Sequence, residues 1–310
     1  MEIIRDINNI YNLKIENTVA ALGKFDGIHL GHNMIMEKLR QGKTNGYISL
    51  VFTFSGNPLS RKKEREEKKI FTEEEQMLVY EKLGIDIIIV CPVNSHILDM
   101  SPEEFIKNIL VEKIGVKKVI CGENFRFGKN RSGDAAKLKE LGAIYGYETE
   151  IIKMISVDGS IVSSTIIREL IREGNIEKAE KLLGHKYTIV GKIVHGNRIG
   201  RTLNTPTANI IPPENKLLPP NGVYVSKCKI DGKYYKGVTN IGYKPTVDME
   251  KKQLGVETYF LDYEGDLYGK VLEIELIKHT RPEKKFNNLK ELERQLLADK
   301  DECRKCRVDI

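Results

Sequence analysis

Short apolar runs rich in Val and Ile alternate with stretches of helical period over the first part of the chain. Thr18 to Leu22, Tyr47 to Phe54, Ile85 to Val90, Val116 to Cys121 and Thr149 to Ile155 have the length and β-branched content of strands buried on both faces. Between them, Thr72 with Glu75 and Ser101 with Glu104 have the spacing of capping boxes, the second with Pro102 at the first helical position. Further helices are expected over Gly133 to Gly142, Thr165 to Glu173 and Asn175 to Leu183, the last stopped by Gly184. Strands and helices in this alternation build a parallel sheet with crossover helices.

After Gly184 the helical period disappears and short strands with Gly, Pro and Asn turns take over. Val223 to Ile230, Asp231-Gly232 and Lys233 to Thr239 form a hairpin pattern of the Asp-Gly type. Leu272, Ile274 and Leu276 alternate with Glu273 and Glu275, as in a strand with one wet face. Leu289, Leu292 and Leu296 share one face of a terminal amphipathic helix, expected to close a small antiparallel barrel. The expectation is an α/β Rossmann-like domain over 1–184 and a β-barrel domain over 185–310. A length of 310 residues suits two such domains.

Composition narrows the class. With 40% hydrophobic and 30% charged residues the chain is too apolar and too mixed in sign to be disordered. Neither the start, MEIIRDINNI, nor the run Ile85 to Val93, broken by Asp86 and Pro92, reads as a signal peptide or membrane span. Fifty basic against 44 acidic residues leave +6, which suits phosphate-bearing ligands and is thin for a nucleic-acid binder. Five scattered cysteines point to a reduced, cytoplasmic protein, and the lone C-x-x-C, Cys303 and Cys306, lacks the second pair a zinc site needs. The run Arg61 to Lys69 alternates sign closely, as a solvated loop does.

Candidate chemistry lies in the loops. GKFDGIHLGH, Gly23 to His32, follows the first strand; its glycines permit close backbone approach, and His29 and His32 share a face near a helix amino terminus, where an anion is favoured. Two imidazoles there can donate hydrogen bonds to a phosphate as pyrophosphate leaves. Ser163-Ser164-Thr165 with Arg168 one turn on suits further phosphates, although such hydroxyls also cap helices with no ligand present. CGENFRFGKNRSGD, Cys121 to Asp134, carries Asn124 and Arg126 beyond a parallel strand, where α/β ligands sit. In the second half, Gly196 to Ile210 combines glycines with Arg198, Arg201 and the tetrad Pro206-Thr207-Ala208-Asn209. Thr207 and Asn209 project from one side of an extended segment and can hold Mg²⁺ together with phosphate oxygens, or simply form a turn. Glu257, in VETYFLD, is a carboxylate among apolar neighbours that needs a partner or a task.

In order along nearly the whole chain, these motifs resemble the bacterial bifunctional riboflavin kinase/FMN adenylyltransferase (FAD synthetase) family. GKFDGIHLGH, GENFRFG with the following R-x-G-D, and SSTIIR resemble its adenylyltransferase; PTAN, NGVY, TNIGYKPTV, VETYFLD and RPEKKF resemble its kinase. The resemblance implies a Rossmann-like nucleotidyltransferase followed by a six-stranded flavokinase barrel, converting riboflavin to FMN and FMN to FAD with ATP and Mg²⁺. It implies that His29, His32 and Arg168 act on phosphate, and that Gly23, Phe25, Asp26, Gly31, Ser164 and Thr165 bind ATP in the first domain. In the second, Gly196, Gly200, Thr207 and Asn209 bind ATP, with Mg²⁺ on the last two, and Glu257 takes the proton of the riboflavin 5′-hydroxyl. Asn57, Asn124, Arg126 and Arg281 are implied flavin contacts. Riboflavin, FMN and ATP are the implied partners, with neither nucleic acid nor membrane. Ser55-Gly56-Asn57-Pro58 and Asn204-Thr205 depart from the family's usual residues. Two alternatives remain open at this point: a chain that keeps only the kinase, and a nucleotide-sensing or RNA-binding protein.

Overall fold

Strands that are apolar on both faces need cover on both sides, and the first half of the chain supplies it. In a computed structural model, residues 1–5, 7–56, 68–92, 96–195, 207–245 and 252–307 are described. They fall into two compact units, Met1–Ser164 and Thr165–Ile310.

The first unit runs β1 (Glu2–Ile4), α1 (Ile7–Asn12), β2 (Thr18–Leu22), α2 (Leu30–Thr44), β3 (Ile48–Phe54), α3 (Glu73–Lys82), β4 (Ile87–Cys91) and α4 (Pro102–Glu104), which continues in a wider π winding over Phe105–Val111. Then come β5 (Val116–Gly122), the hairpin of β6 (Arg126–Phe127) and β7 (Gly133–Asp134), α5 (Ala135–Tyr145), β8 (Glu148–Ile152), and the hairpin of β9 (Ser156–Val157) and β10 (Ser160–Ile161). Six parallel strands order as β1-β4-β3-β2-β5-β8. One face carries α2 through Ile35, Met36 and Leu39 on Val19, Ala21, Val51 and Ile120; the other carries Phe105, Leu110, Leu138 and Leu141 on Ala20, Leu22, Phe52 and Val119. Both expected capping boxes form, at Thr72 with Glu75 and at Ser101 with Glu104. β1 is the one sheet strand the pattern does not announce, because three residues are too few to show a period. The sheet winds one way from β2 through β3 to β4 and the other way from β2 to β5 and β8, so the carboxyl ends of β2 and β5 flank a topological switch point.

Helix α6 (Ser164–Arg172) is followed by α7 (Ile176–Leu183), then by β11 (Thr188–Lys192), β12 (Ala208–Ile210), β13 (Gly222–Ile230), β14 (Lys233–Pro245), β15 (Lys252–Phe260), β16 (Val271–Arg281) and α8 (Leu289–Lys305). The texture of the sequence changes at Gly184, whereas the packing division falls earlier, and α7 lies against β16 within the second unit.

The antiparallel order is β11-β16-β13-β14-β15-β12, and a bridge between Val194 and Asn209 joins its two ends into a nearly closed barrel. Closure needs a residue without a side chain at Gly191, where a Cβ would collide with Ile210. The interior is lined partly by hydroxyls: Ser226 Oγ lies 2.7 Å from Thr239 Oγ1, which lies 2.8 Å from Thr258 Oγ1, and Ser226 also donates to the Gly237 carbonyl. Alternate residues of the same strands, Val225, Val238 and Tyr259, face outward onto α8 with Cys303. The strands of the long hairpin are thus covered on both sides.

The terminal helix departs from expectation in one respect. Leu289 is 65% exposed, and the buried positions belong to Asp299 and Cys303. Cys303 donates to the Gly237 carbonyl, so this half of the C-x-x-C is core, and among the described residues no group of His, Cys, Asp or Glu could hold a metal. Asp299 makes a bidentate pair with Arg281, at 2.9 Å from Nε and 2.6 Å from Nη2, and accepts a third bond from Gln295. Its side chain is only 4% exposed, so removing it strands a guanidinium beside apolar surface. Asp299→Ala is expected to cost about 3 kcal/mol or more of barrel stability, read from the barrel's transition in urea; a loss of a few tenths, as at a surface pair, would contradict this account of the clasp.

Candidate active sites

The first site forms where β2 ends. Gly23 donates to the Phe52 carbonyl, and the chain then turns through Gly27, whose φ of +83° is a left-handed conformation, and Ile28, whose φ of +40° is costly for a β-branched residue. Three bonds hold the turn. The Asp26 carboxylate accepts from the Phe71 N–H at 3.2 Å, the Phe25 carbonyl from Gln76 Nε2 at 2.8 Å, and the Asp26 carbonyl from Ser164 Oγ at 2.9 Å. Phe25 and Asp26, expected at the ATP site, are 1% and 2% exposed, and their side chains are turned into the fold and shape the loop.

The same turn sets the histidines. His29 is the N-cap of α2: its Nδ1 accepts from the His32 N–H at 3.3 Å, so the neutral ring carries its proton on Nε2. The two rings stack with centroids 3.6 Å apart, and Phe25 meets His32 edge-on at 5.2 Å. Gly31 permits this, since a Cβ there would come within 3.3 Å of the His29 ring. His32 Nδ1 is buried with no hydrogen-bond partner among the described residues, and burial, with His29 beside it, holds the ring well below the usual imidazole range. His32 is therefore a neutral imidazole that can offer a hydrogen bond and carries no charge.

Ser164 and Arg168 lie one turn apart on α6, Arg168 buried and Thr165 exposed. Ser164 spends its hydroxyl proton on the loop carbonyl. Asn124 and Arg126 are exposed just past β5, on the other flank of the switch point, and Arg126 Nη1 donates to the Phe125 carbonyl. Asp134, the acid of the R-x-G-D run, caps α5 through the Lys137 N–H at 2.8 Å. Asn57, Gly196 and Gly200 lie outside the described residues, as do Arg198, Arg201 and the charged run over 61–67.

The second site is a row across the barrel. In register, Asn209 stands opposite Glu257, Glu257 opposite Asn240, Asn240 opposite Val223, and Val223 opposite Arg281. Asn209 Nδ2 donates to the Thr207 carbonyl at 3.0 Å and to Thr207 Oγ1 at 3.4 Å, which brings the two expected metal-binding side chains together. A cleft of about 320 Å³ lies over this row, walled by Thr207, Val238, Asn240, Glu257 and Tyr259 on the barrel and by Leu292, Leu296 and Lys300 on α8. The helix leucines expected to close a core line an open apolar slot.

Arg281 reaches this slot, where its guanidinium is paired with Asp299 and gives one N–H to the Pro282 carbonyl. Lys300 takes a cationic place in the wall: its Nζ sits 4.1 Å from the centroid of the Tyr259 ring, and burial followed by the charge of Arg304 lowers its pKa. Sequence reasoning missed Asn240, Tyr259 and Lys300. A polar residue recurring between Val238 and Gly242 on an otherwise buried strand is the signal that could have marked Asn240.

Comparisons with known proteins bear on both sites. Residues 12–166 match the family profile described as FAD synthetase, and residues 183–307 the one described as riboflavin kinase. Curated relatives carrying the name bifunctional riboflavin kinase/FMN adenylyltransferase include one from Buchnera aphidicola subsp. Acyrthosiphon pisum, 38% identical over 302 residues with 96% of each chain covered. Another, from Escherichia coli (strain K12), is 33% identical with the same coverage. A third, from Bacillus subtilis (strain 168), is 35% identical over 292 residues, 92% of this chain and 91% of the other. A solved structure described as a macrolide-efflux protein from Streptococcus pneumoniae superposes with a TM-score of 0.86 at 26% identity, covering 99% of this chain and 100% of that one. Among the described residues no helix is long and apolar enough to cross a membrane.

The state of His32 can be tested directly. Its folded pKa lies below the unfolded value of 6.5, so the unfolded chain binds the proton first. The stability held by the neutral ring is whole above about pH 6.5 and is lost as pH falls from there toward the folded pKa. The ring resonances of His32 should titrate well below pH 6.5, and His32→Gln should flatten the acid limb of stability against pH; a midpoint at or above 6.5 would contradict the neutral imidazole.

Proposed function

We propose a residue-level division of labour from one premise: this chain belongs to the bifunctional riboflavin kinase/FMN adenylyltransferase family. It phosphorylates riboflavin with ATP to give FMN, and it adenylylates FMN with a second ATP to give FAD and pyrophosphate. The proposal concerns which side chains do this. Its functional boundary is at Gly184, with adenylyl transfer assigned to 1–184 and the kinase to 185–310. The compartment proposed is the cytoplasm, where the five cysteines, none of them in a disulfide, stay reduced.

In adenylyl transfer, the 5′-phosphate of FMN attacks the α-phosphorus of ATP and pyrophosphate leaves. The stacked pair His29 and His32 stabilises the charge that grows on the α-phosphate, each imidazole donating from Nε2. Preorganised neutral donors suit this task, because they need no reorganisation as charge develops. Arg168 takes the departing phosphates, Ser164 and Thr165 the start of the same helix, and Gly23 and Gly31 allow the backbone and the His29 ring to come close. Asn124 and Arg126 meet the flavin at the other flank of the switch point.

In the kinase, the observation that carries the reading is the in-register row Asn209, Glu257, Asn240 beneath the apolar slot. The flavin ring enters the slot between Tyr259 and the α8 leucines, and the ribityl chain runs to the row. Glu257 accepts the proton of the 5′-hydroxyl as its oxygen attacks the γ-phosphorus. Thr207 and Asn209 fit Mg²⁺: the hydrogen bond from Asn209 Nδ2 to Thr207 Oγ1 holds the two side chains together. Thr207 Oγ1 and Asn209 Oδ1 are neutral oxygens that would ligate the ion, and its remaining ligands would come from phosphate and water. When bound, that ion neutralises charge on the phosphates. A chain that keeps only the kinase is the reading this proposal opposes, and chromatography of the flavins formed from riboflavin, ATP and Mg²⁺ separates them, because FMN would then accumulate without FAD.

Three variants test the roles. His29→Ala and His32→Ala should each lower FAD formation from supplied FMN by about 10² or more and leave FMN formation intact; equal loss of both activities would refute the assignment. Glu257→Gln keeps the shape but cannot take the proton, so riboflavin phosphorylation should fall by about 10² to 10⁴ with little change in riboflavin or ATP affinity. A near-normal rate, with phosphate transfer shown to be the slow step, would make Glu257 structural.

A further inference from the structure

Asn240 is out of place by ordinary strand logic. Asparagine is disfavoured within strands, and this one lies mid-strand in β14, directly opposite Glu257 and next to the apolar Val223. Its side chain is half-buried and lines the cleft, yet it makes no hydrogen bond to any described residue, whereas nearby Asn209 and Asn221 bond to Thr207 and Glu283. An amide with donor and acceptor both unspent, partly withdrawn from water, costs free energy unless a ligand completes it.

The ligand must itself donate and accept, and it must sit beside whatever Glu257 engages, since opposite residues of an antiparallel pair hold their Cβ atoms about 5 Å apart. Hydroxyls on adjacent carbons meet both demands. We infer that Asn240 is a specificity residue of the kinase, reading the ribityl 4′-hydroxyl while Glu257 engages the 5′-hydroxyl. The inference rests on the reading of Glu257 given above. It makes the vicinal diol, more than the flavin ring, the feature that positions the reacting oxygen, and an acceptor with an isolated terminal hydroxyl is then a poor substrate, because the amide stays unpaired in its complex.

The test is a cycle between residue and substrate. Values of kcat/KM are measured for riboflavin and 4′-deoxyriboflavin with the full chain and with Asn240→Ala. The unaltered enzyme should prefer riboflavin by about 10- to 100-fold. The variant should lose a similar factor on riboflavin, show a preference near one, and keep its KM for ATP. An unaltered enzyme without preference, a variant that keeps the preference, an equal loss on both substrates, or a shift confined to the KM for ATP would each overturn the proposal. Asn240→Ser serves in place of Ala if the thermal transition shows that the Ala variant does not fold, and should give an intermediate preference. Failure of the Glu257 reading shows separately, as a Glu257→Gln variant with near-normal rate.

Discussion

Asn209, Val223, Asn240 and Glu257 come one from each of four successive strands, β12 to β15, and the backbone ladder holds them abreast. Everything the kinase half does depends on that register. A slip of one residue on β15 would exchange Glu257 for Thr258, sending the carboxylate into the barrel and a hydroxyl of the interior chain out to the cleft. The interior contacts from Ser226 through Thr239 to Thr258 oppose such a slip, because each hydroxyl finds its partner in only one register. The structural row and the functional row are alternate residues of the same strands, so the packing that stabilises the barrel also aims the site.

The first unit solves a different problem with the same economy. A parallel sheet leaves its polar chemistry to the loops at the carboxyl ends of its strands, and loops are the less rigid part of a fold. Here the loop after β2 is fastened by Asp26, Phe25 and Ser164, and His29 caps the helix that carries His32. The two rings are held against each other before any nucleotide arrives, one of them with a buried nitrogen lacking a partner among the described residues. In each half, a polar side chain without a hydrogen bond to any described residue stands where substrate chemistry is proposed, His32 at its buried Nδ1 and Asn240 in the cleft.

The elements long enough to show a period were legible in the sequence: the five predicted strands of the sheet, both capping boxes, the Asp-Gly hairpin and the terminal helix. β1, β12 and the β6–β7 hairpin have two or three residues each and no period to read. Motifs marked the histidines, Ser164, Thr207, Asn209 and Glu257 as candidates, because each lies in a local run with its own spacing. Asn240 and Tyr259 lie within the quoted runs TNIGYKPTV and VETYFLD but were not singled out there, and Lys300 lies in no such run; what joins the three at the cleft is register and the lie of α8, neither of which is written locally. What local spacing does not show is the structural use of Phe25, Asp26 and Arg281: a buried ring and carboxylate under the loop, and a guanidinium clasped by Asp299 across to the last helix.

The central claim is that two independent sites in one chain are linked by FMN released from one and taken up by the other. It is tested most directly by mixing two purified variants, Glu257→Gln and His29→Ala/His32→Ala, with riboflavin, ATP and Mg²⁺, and following the flavins by chromatography. The account predicts that neither variant alone turns riboflavin into FAD at an appreciable rate, and that the mixture does so after a lag in which FMN builds up. A mixture that stays as inactive as its components, with both variants folded and FMN present, would contradict it.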